Sequence, residues 1–181
     1  MGVHRRVILM FALAASAACT QTSGHSPSAT IEESMHDDLI KRCYALAETA
    51  VEHGNHPFGA LLLKDGEVLL EAENTVVTEK DATGHAELNL VRMASKRFDP
   101  ESLAQSTLYT STEPCIMCQG SIYWAGIPRI VYGVRGSSLA NLGGAGWYIS
   151  SRDTYGRMLP KIEVSGPVLE DEGMEIHKRF W

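Results

Sequence analysis

Cysteine is scarce in this chain: it has four cysteines in 181 residues, and two of them share a single Cys-x-x-Cys motif. Small secreted domains that depend on disulfides carry a denser set, so no disulfide framework is indicated. A chain of this length can bury a hydrophobic core without covalent staples. The paired cysteines therefore point to metal or redox chemistry.

The chain also lacks an excess of basic residues. Lysine and arginine number 16 against 22 aspartates and glutamates, which gives a formal net charge of −6. Proteins that bind nucleic acids present a basic surface, so this composition counts against a nucleic acid as the partner. There is no internal repeat, and the length and composition predict one globular domain.

No apolar run is long enough to span a bilayer, but residues 7–18 form a shorter one behind a basic N-terminus. This arrangement is typical of a secretory signal. Cys19 follows it in a context similar to the cleavage site of bacterial lipoproteins. We therefore predict a signal segment over residues 1–19, a flexible linker over residues 20–34 and a folded domain over residues 35–181.

The alternative for this N-terminal region is that translation begins at Met35. A genuine leader implies export or a lipid anchor on Cys19, which would be the chain's only contact with a membrane. Without a leader the chain is expected in the cytoplasm. Sequencing the mature N-terminus separates the two, because a start at or near Cys19 supports export and a start at Met35 refutes it.

From Met35 onward, apolar residues recur with helical or strand periodicity between glycine and proline breaks. Alternating strands and helices predict an α/β fold, a three-layer α/β/α sandwich with helices on both faces of the sheet. Residues 136–160 are predicted to be rich in loops. The predicted helices cover residues 36–53, 85–97, 114–125 and 167–181, and the predicted strands cover residues 58–64, 67–77, 107–111, 129–134 and 162–164.

Two motifs, His85-Ala86-Glu87 and Pro114-Cys115-Ile116-Met117-Cys118, carry the chemistry. The imidazole of His85 and the thiolates of Cys115 and Cys118 can hold one Zn²⁺ per chain and leave its fourth position for water. Glu87 is then the predicted catalytic residue, which moves protons between this water and the substrate. A His-x-Glu motif followed by Pro-Cys-x-x-Cys is the signature of zinc deaminases.

The spacing of these residues predicts how they meet. Cys115 and Cys118 are three residues apart, so they share one face of a helix that has Pro114 at its first position and Cys115 in its first turn. His85 and Glu87 are only two apart and would diverge in the middle of a helix. They converge only if a helix begins there, so we predict two helix N-termini that meet at one metal ion.

Other interpretations of these residues stay open. A purely structural zinc site needs a fourth protein ligand, for which Cys43, His53 and His56 are candidates. A thioredoxin-type dithiol fits Cys-x-x-Cys at a helix start but leaves His-x-Glu unexplained. Another histidine, His177, is predicted to be a solvated residue of the last helix.

At these motifs the chain resembles the cytidine and deoxycytidylate deaminase superfamily, and within it the guanine deaminase, yeast-type cytosine deaminase and tRNA adenosine deaminase branch. The resemblance covers residues 36–181 and includes Pro57-Phe58-Gly59-Ala60. It implies a five-stranded mixed sheet, bound zinc and a homodimer with active sites near the subunit interface. It also implies that Asn74 hydrogen-bonds the substrate base and that the C-terminal segment caps a pocket.

Four residues are predicted to contact the substrate: Phe58, Asn74, Ala86 and Trp124. From the residues alone, Asn74 is equally a turn residue, Phe58 a core residue and Trp124 a packing residue. The terminal pair, Phe180 and Trp181, can cover the site, pack on a partner subunit or close the core.

The resemblance also bears on the substrate. Residues 121–125 are most similar to guanine deaminases and related bacterial nucleoside deaminases, and residues 135–142 lack the stretch that tRNA enzymes carry after the fourth strand. We therefore predict a zinc-dependent hydrolytic deaminase of a free nucleobase or nucleoside, guanine-like first and cytosine-like second. The alternatives are a tRNA-specific adenosine deaminase and a catalytically idle zinc-binding fold retained for association.

Overall fold

A computed structural model describes residues 27–143 and 148–181. The predicted signal segment, with Cys19, and residues 20–26 of the predicted linker lie outside the described residues and stay predictions. In the described part of the chain, no helix combines the length and the apolar character needed to cross a membrane.

Five strands and seven helices are formed within the described residues. In chain order they are α1 (Pro27–Glu52), β1 (Gly59–Lys64), β2 (Glu67–Glu73), α2 (Ala86–Arg97), α3 (Pro100–Ala104), β3 (Thr107–Thr112), α4 (Ile116–Trp124), β4 (Arg129–Val134), α5 (Gly136–Gly143), α6 (Ser151–Tyr155), β5 (Glu163–Ser165) and α7 (Glu170–Phe180).

The strands form one mixed sheet in the order β2-β1-β3-β4-β5. Strand β1 is antiparallel to β2 and β3, whereas β3, β4 and β5 run parallel. A parallel neighbour requires a crossover, and α4 supplies it between β3 and β4. The predicted five-stranded mixed sheet is thus confirmed.

Each face of the sheet is covered by helices, which confirms the three-layer sandwich. Side chains alternate along β1, so Ala60 and Leu62 pack with α2 and α4, and Leu61 and Leu63 pack with α1 and α7. Gly59 allows α1 to approach β1 closely, because a Cβ there would lie 2.5 Å from the carbonyl oxygen of Cys43. This contact fixes the start of β1 next to Phe58.

Several predicted boundaries were wrong. The first helix begins at Pro27, so residues 27–34 of the predicted linker are helical; proline is well tolerated in a first helical turn. The predicted loop at 136–160 contains α5 and α6, and Ser150 caps α6 by accepting a hydrogen bond from the Asp153 amide at 3.0 Å. The last helix starts at Glu170, three residues after the predicted Pro167.

Candidate metal centre and active site

The N-termini of α2 and α4 lie next to each other. His85 is the N-cap of α2 and Cys115 is the N-cap of α4, and both have extended backbone dihedral angles. Neither side chain caps its own helix, so each is free to face the other. The prediction that both motifs stand at helix N-termini is confirmed.

The three predicted ligands form a compact triangle. The Cys115 Sγ lies 3.5 Å from His85 Nδ1, the Cys118 Sγ lies 3.7 Å from that nitrogen, and the two sulfurs are 3.7 Å apart. Tetrahedral zinc with ordinary bond lengths separates two sulfurs by about 3.8 Å and a sulfur from a nitrogen by about 3.6 Å. The donor set and its edges therefore fit Zn²⁺, with one position left for a non-protein ligand.

The placement of Cys115 differs from the prediction. Helix α4 begins at Ile116, so Cys115 precedes the first turn and Pro114 lies outside the helix. The two cysteines still converge, because the N-cap side chain and that of the third helical residue face each other at a helix start.

Hydrogen bonding shifts the pKa values of the Cys115 and Cys118 thiols in opposite directions. The bond with Cys118, and then the one with His85, lowers the pKa of Cys115 to about 4. The bond with Cys115, followed by burial, raises the pKa of the Cys118 thiol far above its usual range. One proton shared by two adjacent sulfurs explains this opposition. Zinc would hold both as thiolates, since metal binding displaces such protons.

Glu87 lies just outside this triangle. Its carboxylate is buried, with Oε2 at 3.7 Å from the Cys118 Sγ and Oε1 accepting a hydrogen bond from the Thr110 hydroxyl at 3.0 Å. Burial, followed by the neighbouring Cys115 charge, raises the pKa of Glu87. A buried carboxyl that holds a proton more readily than usual suits general acid–base work. Thr110 could not be predicted from local spacing, because it approaches Glu87 only through the fold.

A cavity of about 350 Å³ opens onto the metal centre. Its polar wall carries His85 and Cys115 with the carboxylates of Glu87 and Glu113, and its remaining walls are largely apolar and aromatic. The residues that line it are Phe58, His85, Glu87, Thr112, Glu113, Cys115, Gly136, Leu139, Ala140, Tyr148 and Trp181.

Glu113 lines the cavity and holds two neighbouring backbone segments in place. One carboxylate oxygen accepts a hydrogen bond from the Ser151 amide at 2.7 Å, and the other accepts one from the Gly136 amide at 3.2 Å. These amides begin α6 and α5, so Glu113 fixes the starts of the two helices, close to the lining residues Leu139 and Tyr148. Glu113 was not predicted as a site residue, although it stands directly before Pro114.

The four predicted substrate contacts occupy different environments. Phe58 lines the cavity, and Ala86 is fully buried in the hydrophobic core beside His85. Asn74 is buried, and its Oδ1 accepts a hydrogen bond from the Val76 amide at 3.1 Å. Trp124 is 85% exposed. Only Phe58 is thus brought to the cavity lining, and substrate contacts by all four stay predictions.

The candidate fourth ligands are engaged elsewhere. Cys43 is buried on the opposite face of the sheet, His53 Nδ1 lies 2.7 Å from a Glu73 carboxylate oxygen, and the His56 ring packs on the terminal aromatic pair. Among the described residues, only His85, Cys115 and Cys118 cluster as potential metal ligands.

The comparisons with known proteins agree with this centre. The family model for the cytidine and deoxycytidylate deaminase zinc-binding region matches residues 33–134, which include all three ligands and Glu87. The chain belongs to this deaminase family. It is therefore a zinc-binding enzyme that catalyses hydrolytic deamination.

Relatives in the family act on different substrates. A probable cytosine deaminase of Schizosaccharomyces pombe is 36% identical over 78% of this chain and 90% of its own length. The guanine deaminase of Bacillus subtilis is 40% identical over 60% of this chain and 70% of its own. A solved NE0047 mutant in complex with 8-azaguanine has a TM-score of 0.72 at 22% identity, over 80% of this chain and 84% of that one, which shows the shared fold. tRNA-specific adenosine deaminases are also among the relatives.

Proposed function

We propose that this chain deaminates an unphosphorylated nucleobase or nucleoside, guanine-like first and cytosine-like second. The observation that carries the proposal is the cavity: the metal centre forms its polar end, and aromatic and aliphatic side chains form the rest. Such a lining suits the flat, uncharged face of a base. At about 350 Å³ the cavity is at the small end of ligand sites.

The residues present divide the chemistry between them. His85, Cys115 and Cys118 hold zinc, which when bound lowers the pKa of a water molecule and so supplies a nucleophile near neutral pH. Glu87 accepts the proton of the attacking water and returns protons to the ring nitrogen and to the departing amine. The amino-bearing ring carbon thereby exchanges its C–N bond for a C–O bond, and ammonia leaves.

The charge of the cavity disfavours nucleotides and RNA. Glu87 and Glu113 are acidic, and no lysine or arginine lines the cavity among the described residues. Residues 144–147, whose sequence is Gly-Ala-Gly-Trp, add no charge wherever they lie. Arg135, next to the lining residue Gly136, is already paired with Glu170 at 2.8 Å. A phosphate would therefore meet the carboxylates of the cavity without a lysine or arginine to receive it.

A panel assay for ammonia release tests the proposal. We expect the highest kcat/KM on guanine, a lower value on cytosine, and a value on GMP at least about a hundredfold below that on guanosine, because like charges repel. Activity confined to tRNA would instead support adenosine editing. Stoichiometric zinc without activity on any base, nucleoside, nucleotide or tRNA would support the idle fold.

We also propose a homodimer formed through the outer surface of α4 and the segment beside it. Trp124 is 85% exposed, Leu159 is 78% exposed and Ile116 is 46% exposed. The Tyr123 hydroxyl donates a hydrogen bond to the Leu159 carbonyl at 2.6 Å, so the segment that carries Leu159 lies against the end of α4 that carries Trp124. Exposed apolar patches of this kind mark protein interfaces. A second copy is the proposed partner because the family resemblance implies a homodimer.

Trp124→Glu should convert the dimer to a monomer in sedimentation equilibrium, since a buried charge would face an apolar partner surface. Val51→Glu is the matched control: Val51 is also exposed, but it lies on α1 at the opposite face of the sheet, so this variant should stay dimeric. A wild-type monomer, or a Trp124→Glu variant that remains dimeric, would contradict the proposed interface.

A further inference from the structure

His177 on α7 is buried, which contradicts the predicted solvated position. Its side chain is 2% exposed, its Nε2 is hydrogen-bonded to the Thr112 hydroxyl at 2.9 Å, and its ring centroid lies 5.3 Å from that of Phe58. Its carbonyl oxygen accepts the Trp181 amide at 2.9 Å. Thr112, Phe58 and Trp181 all line the cavity, whereas His177 stands behind them.

Filling space alone does not account for an imidazole at this place. The His177 Nδ1 is buried without a hydrogen-bond partner among the described residues, and a buried polar atom without a partner costs free energy. A leucine would fill the same volume without that cost. Burial lowers the pKa of His177 to about 4, so the ring is neutral near pH 7. What the imidazole adds over an aliphatic side chain is one directed hydrogen bond to Thr112.

Thr112 is also close to the reacting end of the cavity. It is the last residue of β3, and its carbonyl oxygen lies 3.1 Å from the Thr110 hydroxyl that bonds Glu87. The contact between Glu87 and the Thr110 hydroxyl does not involve His177. A change at His177 therefore acts first on the walls around the substrate rather than on the carboxylate that moves protons.

On the basis of the proposed function, we infer that His177 is a positioning residue for the substrate. Its bond to Thr112 and its packing against Phe58 hold these two cavity walls, and its backbone holds the third, Trp181. Substrate binding is therefore expected to depend on His177, whereas the chemical step does not.

Steady-state kinetics of variants at His177 and Thr112 test this inference, together with their affinity for 8-azaguanine by calorimetry, which needs no turnover. His177→Leu removes the hydrogen bond that holds Thr112 and should raise KM and the dissociation constant several-fold, up to about tenfold, because a loosened wall has to be ordered again when the substrate binds. Its kcat should stay within about twofold and its zinc at one per chain. His177→Gln can keep a polar partner for Thr112 and should recover most of the affinity.

Thr112→Val removes the same bond from its other end. It should raise KM to a similar extent, and the double variant with His177→Leu should add little, because both changes delete one interaction. Thr112→Val keeps the inference testable on its own if His177→Leu fails to fold. His36→Leu is the control: His36 also bonds a hydroxyl, that of Tyr109 at 2.8 Å, but neither residue lines the cavity. It should leave KM unchanged.

Suppose that the wild type is active and that KM and affinity are unchanged in both His177→Leu and Thr112→Val. The positioning role of His177 would then be overturned, while the proposed function would stand. A loss of kcat with KM unchanged would also overturn it. A wild-type chain that neither deaminates nor binds any compound of the panel contradicts the proposed function, and the positioning role falls with it.

Discussion

Glu87→Gln is expected to lower kcat by about 10²- to 10⁴-fold while one zinc stays bound per chain. A positioned general acid–base contributes roughly this factor, and glutamine cannot carry a proton in its place. The side chain is buried and accepts a hydrogen bond from Thr110 at 3.0 Å, so an amide of the same shape fits without disturbing the ligands. The measurements are ammonia release under saturating substrate and zinc content by mass spectrometry.

Glu87→Asp provides the matched comparison, because it keeps an acid but shortens its reach by one methylene. Its kcat should fall between those of the wild type and of Glu87→Gln. A Glu87→Gln variant with near wild-type kcat would show that another group moves the protons. If the variant instead lost its zinc, Glu87 would belong to the ligand set, which its place outside the ligand triangle argues against.

The metal centre was predictable from the sequence because its constraint is local. His85 and Glu87 are two residues apart and can share a site only where a helix begins, whereas Cys115 and Cys118 are three apart and share one face of a helix. Both helix starts are present, although α4 begins one residue after Cys115. The periodicity of apolar residues likewise predicted the strands and the three-layer fold, because a helical or alternating pattern indicates which face of a helix or strand is buried.

The residues that surround the centre were not predictable in this way. Thr110 reaches Glu87 across 23 residues of sequence, Glu113 reaches Ser151 across 38, and Thr112 reaches His177 across 65. Each contact depends on strand register or on how a distant segment packs, and neither is encoded in local spacing. A histidine on an amphipathic helix with charged neighbours predicts solvent exposure, and only the packing of α7 on the sheet buries His177.

Cys118→Ala is expected to abolish both zinc binding and ammonia release. The substitution removes a buried ligand from a set of three, and the remaining imidazole and thiol leave zinc with too few protein donors. A metal present at a thousand times its dissociation constant stabilises the folded chain by about 4 kcal/mol. A chain of this size loses about 2–4 °C in Tm per kcal/mol, so the melting temperature should fall by roughly 10 °C.

Cys43→Ala is the control that separates ligand loss from the cost of a buried cavity. Cys43 is as fully buried as Cys118, but it lies among Ile40, Tyr44 and Leu61 on the opposite face of the sheet. This variant should keep one zinc and wild-type kcat, with only the modest destabilisation of a truncated core residue. Added Zn²⁺ should raise the Tm of Cys43→Ala after chelation but not that of Cys118→Ala. Full zinc occupancy in Cys118→Ala would contradict the ligand assignment, because Cys118 would then pack beside the metal without binding it.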